Sequence, residues 1–227
     1  MSTSIPHILR FIMVFSFVLF HGIVNAQTGP GGVGKTDGTS NLEGWFMSNV
    51  DIEEAPGDPA ELGDPVDMWL DQSGNNNHLA IDIGFSSGNF VSFLGFNCLE
   101  FPTGTSRTMV ADDPVSSLMT HVSLFSAWAN STTIGNERPS GISTSPAWSP
   151  GGSGNNFSQG ADHSIRKDNG FIGGTVPSIA GTIKVRSSLM DPAEIEDFVN
   201  GQSNIVTAAT YTTNIAGNFR IGHIRNN

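Results

Sequence analysis

The sequence predicts an all-β protein, a two-layer antiparallel β-sandwich. Three observations carry this. Short apolar segments recur along the chain, turn residues (27 Gly, with frequent Asn, Ser and Thr) separate them, and apolar spacing at i, i+3 and i+4 is nearly absent.

Taken in order, the candidate strands cover residues 44–50, 66–71, 89–93, 97–101, 107–110, 121–129, 141–143, 162–167, 181–187, 205–211 and 218–224. Within 121–129, the run SLFSAW is apolar on both faces, as expected of a strand covered on both sides. Residues 146–160, PAWSPGGSGNNFSQG, read as a long loop, and Trp148 is its candidate exposed aromatic for ligand binding. The segment 191–201, DPAEIEDFVNG, supports two readings. Asp191, Pro192 and Glu194 make a helix N-terminus with Gly201 at its end, whereas Asn200-Gly201 is the turn pair of a tight β-hairpin.

Residues 1–26 precede this domain. Arg10, an apolar run from Phe11 to Phe20 and small side chains up to Ala26 follow the order of a secretory signal peptide. The run is shorter than the roughly 20 apolar residues that span a bilayer. The expected products are a leader at 1–26, a flexible segment at 27–43 and a domain at 44–227, with localisation outside the cytoplasm and no membrane span in the mature chain.

Residues 29–36, GPGGVGKT, match the phosphate-binding pattern G-x-x-x-x-G-K-[ST]. That loop works only between a buried strand and a helix N-terminus. Here a removable leader precedes it and the turn pair Asp37-Gly38 follows, so no nucleotide partner is expected.

Composition narrows the partners. The 227-residue chain has a net charge of −11, and without Arg10 the remaining nine basic residues face 21 acidic ones. This disfavours nucleic acid and anionic membranes. Cys98 is the sole cysteine, which excludes a disulfide framework and suggests a plain buried side chain. Twelve acidic residues and no Lys or Arg lie between Asp37 and Glu100. A solvated loop explains them; hard oxygen ligands for Ca²⁺ would be the sharper explanation, although the spacing is not that of an EF-hand.

The stretch WLDQSGNNNHLA, from Trp69 to Ala80, resembles the W-x-D-Q-S-G-N-G-N signature of concanavalin A-like, laminin-G-like jelly-roll domains of secreted bacterial surface proteins. LEGWFMSNVD, CLEFPTG, HVSLFSAWAN and DFVNGQ…GNFRIGH follow in matching order. Physically, Trp69 belongs in the core, Asp71 and Ser73 can fold back onto turn amides, and Gly74 with Asn75 or Asn76 suits positive φ. The resemblance implies a jelly roll and favours strand and hairpin over helix at 194–201. It also implies a further strand after NFRIGHIRNN, so the expectation is a missing closing strand and an open edge at 218–224. Calcium sites occur in related folds; the ligand set implied here is Asp71, Asn75 and Asp67.

For function, the resemblance favours a non-catalytic recognition module for glycans or cell-surface proteins. The alternative is a glucanase-type glycoside hydrolase. Glu194 and Glu196 would share one strand face about 6.5–7 Å apart, against the ~5–5.5 Å wanted for retaining hydrolysis. The Asp of the glucanase motif E-I-D-x-E is displaced here to Asp197. The histidines His78, His121, His163 and His223 show no metal-pair spacing, and Asp162-His163-Ser164 is no triad because strand neighbours point to opposite faces.

Overall fold

The computed structural model describes residues 34–82, 84–102, 107–111, 115–119, 121–129, 140–143, 157–159, 165–167, 170–177, 179–191, 193–208 and 215–223, and every regular element among them is a strand. In chain order these are β1 (Ile52–Ala55), β2 (Asp58–Pro59), β3 (Pro65–Val66), β4 (Met68–Trp69), β5 (Leu79–Ile81), β6 (Gly88–Phe93), β7 (Phe96–Glu100), β8 (Arg107–Ala111) and β9 (Val115–Met119). There follow β10 (Val122–Trp128), β11 (Ser140–Ser143), β12 (Phe157–Gln159), β13 (Ile165–Lys167), β14 (Gly170–Ile172), β15 (Lys184–Met190), β16 (Glu194–Val199), β17 (Gln202–Ala208) and β18 (Ile215–His223).

Strand pairing is antiparallel and gives three sheets among the described residues. The large one runs β14-β13-β12-β11-β18-β8-β5-β4-β1-β2, with β9 also on β18. The smaller ones are β10-β15-β16-β17 and β3-β6-β7. Alternation along each strand sends one set of side chains inward. Val122, Leu124, Met190, Ile195 and Ile205 of the four-stranded sheet meet Ile142, Ile172 and Phe219 of the large sheet. Val66, Phe90 and Leu99 of the three-stranded sheet meet Ile52, Leu79, Met109, Ala111, Phe219 and Ile221. Two small sheets thus cover one large sheet, the packed antiparallel architecture that the strand pattern predicts. Phe219 takes part in both cores.

Segment 191–201 is strand and turn. The capping chemistry read from the sequence is present, since Asp191 Oδ1 accepts the amides of Ala193 and Glu194. It closes a turn that enters β16 instead of a helix. Asn200 (φ 51°) and Gly201 (φ 76°) then form the hairpin turn, and Asn200 prolongs the ladder by exchanging bonds with the backbone of Val185.

Five expectations change. The segment 146–160, read as a loop, contains the strand β12 at Phe157–Gln159, paired with β11 and β13. The terminal pattern is not an edge: β18 pairs with β11 on one side and with β8 and β9 on the other, and Arg220 is buried against Asp82. The strand β10 is not covered on both sides, because it stands at the edge of its sheet among the described residues and its outward Phe125 is exposed. Residues 44–50 form no strand; they run beside the 69–80 corner and end in a turn. The acidic stretch contains a hairpin, β1–β2, closed at Pro56-Gly57.

A second two-residue turn joins β6 to β7 at Leu94 (φ 52°) and Gly95 (φ 82°). A leucine there crowds its Cβ against the following carbonyl at a cost of about 1–2 kcal/mol, which asparagine largely avoids. Leu94→Asn is expected to raise the melting temperature by ~2–4 °C, the shift for about 1 kcal/mol at this chain size, as read by circular dichroism.

Candidate functional site

The corner at 69–80 is built around one carboxylate. Asp71 Oδ1 accepts the amides of Trp45 (2.8 Å) and Ser73 (2.9 Å), and Oδ2 accepts the Ser73 hydroxyl (2.5 Å) and the Asn77 amide (3.1 Å). Its own amide donates to His78 Nδ1 at 3.0 Å. Around it, Gln72 N donates to Trp45 O, Asn75 Nδ2 to Leu42 O and Asn77 Nδ2 to Glu43 O. Gly74 (φ 88°) admits the chain passing beneath it; a Cβ there would lie 2.5 Å from Gly38 N and Thr36 O. The corner therefore ties the described part of the leading segment, where weak packing is expected from composition, to the sheets. Trp69 is half-buried; its Nε1 donates to Met47 O and its ring meets Phe46 edge-on at 5.6 Å.

Asp71 and Asn75, two of the expected calcium ligands, thus have side-chain partners within the protein, and a cation on Asp71 would have to displace N–H or O–H donors from its oxygens. Asp67 is half-buried and its amide donates to Glu53 O. Among the described residues no group of three or more His, Cys, Asp or Glu side chains is arranged to hold a metal. The described end of the phosphate-loop pattern, Gly34 to Thr36, runs into bends rather than a helix, and Lys35 N donates to Ser40 Oγ. Trp148 and His163 lie outside the described residues. Cys98 is half-buried, and burial, with Glu100 nearby, pushes its thiol pKa up.

In β16, Glu194 and Glu196 do share a face, and it is the outer one; Ile195, Asp197 and Val199 point inward. The buried carboxylate is therefore Asp197. It accepts Arg186 Nε at 2.8 Å, the Ser188 hydroxyl, and Asn204 Nδ2 at 2.6 Å. Ser188 Oγ also accepts Gln159 Nε2 at 2.8 Å, and Gln159 Oε1 accepts the hydroxyls of Ser126 and Ser140. This network joins β12 and β11 of the large sheet to β10 and β15 of the four-stranded sheet. At its end the buried Lys184 donates to Ile179 O at 2.7 Å and lies 4.9 Å from the Trp128 ring centroid; burial lowers its pKa. Sequence reading placed Asp197 only as the displaced Asp of a glucanase motif and missed Arg186 and Gln159. Strict inward alternation of Lys184, Arg186 and Ser188 along one strand was the available sign, but polar alternation normally marks the solvent face.

The outer face of the same sheet is apolar by contrast. Phe125 and Val185 are 59% and 61% exposed, with Leu189 and Val206 also exposed. Strand register sets them in rows: Ser123, Leu189, Glu196 and Val206 in one, Phe125, Ser187, Phe198 and Ser203 in the next.

A scan against protein-family profiles finds no match, and no curated protein matches the chain.

Two predictions follow from the buried carboxylates. Asp71→Ala strands three amides, each worth about 1–3 kcal/mol when unsatisfied, and should lower stability by at least ~3 kcal/mol in a thermal melt. Arg186→Met leaves Asp197 as an unpaired buried charge and should cost ~3–5 kcal/mol in urea unfolding. The Arg186→Met/Asp197→Leu double variant should recover most of that loss.

Proposed function

We propose that this chain is a secreted, non-catalytic recognition module that takes an extended glycan on the outer face of β10-β15-β16-β17. The supporting observation is the row Phe125, Ser187, Phe198 and Ser203. It sets two phenyl rings two strand separations apart, about 9.5 Å, with hydroxyls between and beyond them. Aromatic faces stack on the C–H faces of sugar rings, while a few convergent polar groups hold the hydroxyls. Glu194 and Glu196, on the same face, supply acceptors for those hydroxyls. An exposed sheet face suits a chain rather than a single enclosed sugar.

The leader pattern at 1–26 supports secretion. The signature from Trp69 to Ala80 supports kinship with concanavalin A-like jelly-roll domains, in which the corner built on Asp71 is a structural element. A glucanase would need a cleft for Glu194 and Glu196; turnover of laminarin or lichenan abolished by Glu194→Gln or Glu196→Gln would replace the recognition reading.

Phe125→Ser combined with Phe198→Ser is expected to weaken polysaccharide binding at least tenfold, about 1.4 kcal/mol, in a glycan array and affinity electrophoresis. The melting temperature should stay within a few degrees of wild type. Binding to no glycan, with retention on a surface protein that the double variant loses, would make the face a protein-binding surface instead. Glycan binding that survives the double variant would move the site elsewhere.

A further inference from the structure

The two hairpin turns at Leu94-Gly95 and Asn200-Gly201 have nearly the same backbone shape, with φ of 52° and 82° in one and 51° and 76° in the other. Asparagine suits the first position of such a turn; leucine does not. Packing within the protein does not compensate for the leucine, because Leu94 is 64% exposed. Phe93 and Phe96 face each other across the last rung of the hairpin and are exposed as well. No charged residue occurs from 83 to 99. A strained, exposed, wholly apolar tip is costly in water and is the kind of feature found where a surface must engage a partner.

The surroundings of the tip are acidic. Residues 61–64 run along β6, with Gly63 N donating to Phe90 O at 2.7 Å and Phe90 N to Asp64 O at 2.9 Å, which brings the exposed Leu62 to the same sheet. Asp64, Asp58 and Glu61 lie close enough to Glu54 that their charges raise its pKa. The apolar finger therefore rises beside a concentrated negative patch.

We propose that the tip from Phe93 to Phe96, with Leu62 beside it, is a docking finger for a protein that offers an apolar pocket edged by Lys or Arg. The convex apolar tip calls for a concave apolar site, and the carboxylates at its base call for cations around the rim. An anionic bilayer would repel those carboxylates and the net charge of −11. A second copy of the chain would present the same negative patch to them. This interaction is separate from the glycan face and does not rest on it.

The test places a photo-crosslinking phenylalanine analogue at Phe96 of the full chain, expressed in its native cells, and identifies the adduct by mass spectrometry. The expected adduct is on another protein, at an apolar depression with Lys or Arg at its edge. With that protein purified, Leu94→Asn and, independently, Phe96→Ser should each weaken binding at least tenfold. Leu94→Asn should do so without lowering the melting temperature, which separates docking from a structural role. Glu61→Gln with Asp58→Asn should flatten the salt dependence of binding. Adducts only on lipid or on a second copy, or no adduct, would overturn the proposal. So would an acidic rim, affinity unchanged in Leu94→Asn, or a destabilised Leu94→Asn. Pelleting with phosphatidylcholine vesicles, alone and with phosphatidylglycerol, is expected to bring down no protein; pelleting that Leu94→Asn abolishes would reassign the tip to lipid.

Discussion

The strand β18 is the constraint on which the other parts depend. It pairs with β11 along one edge and with β8 and β9 along the other, so it joins the two halves of the large sheet. Phe219 on this strand packs in both hydrophobic cores and stacks on Phe46 at 5.8 Å with the rings 7° from parallel. Arg220, the next residue, faces the other way and pairs with Asp82 at 3.2 Å. Each small sheet has an apolar surface to cover only because this strand holds the two parts of the large sheet in line.

The Asp71 corner solves a different problem. The nine residues between β4 and β5, eight of them polar or glycine, have many amides and few ladder partners, and buried amides must be paired. One carboxylate collects four donors, and asparagine side chains of the same turn reach the carbonyls of Leu42 and Glu43. The segment before β1 is thereby held without becoming a strand. The resemblance motif W-L-D-Q-S-G-N is thus explained by hydrogen-bond satisfaction, whatever ligand the domain takes.

The four-stranded sheet reverses the usual assignment of faces. Its inner face carries Arg186, Ser188, Asp197 and Asn204 among aliphatic side chains, while Phe125, Val185 and Val206 face outward. Buried polar groups are tolerated when each finds a partner, and here Gln159 from the large sheet completes the set. Directional bonds between the sheets fix how they sit on each other more narrowly than apolar contact would. The outward apolar residues remain exposed on that sheet, and the Leu94 tip adds a second exposed apolar patch.

What the sequence determined by itself is local. Turn pairs such as Asn200-Gly201, the short apolar segments at 89–93 and 107–110, and the Asp71 side chain's capacity to cap its own turn all act within a few residues, so composition and spacing reveal them. The acidic hairpin β1–β2 and the strands β5, β12 and β14 escaped because a strand of two to four residues leaves little periodicity to read. The choice at 191–201 was legible as two alternatives, since capping and hairpin chemistry were both present. Only tertiary structure decided between them, by offering β15 on one side and β17 on the other. It likewise decided which face of β16 is buried, why Phe125 is exposed, and that β18 is central: these depend on pairing between residues such as Asp82 and Arg220, 138 positions apart. A strand's alternation shows that it has two faces, but only its neighbours decide which one meets the core.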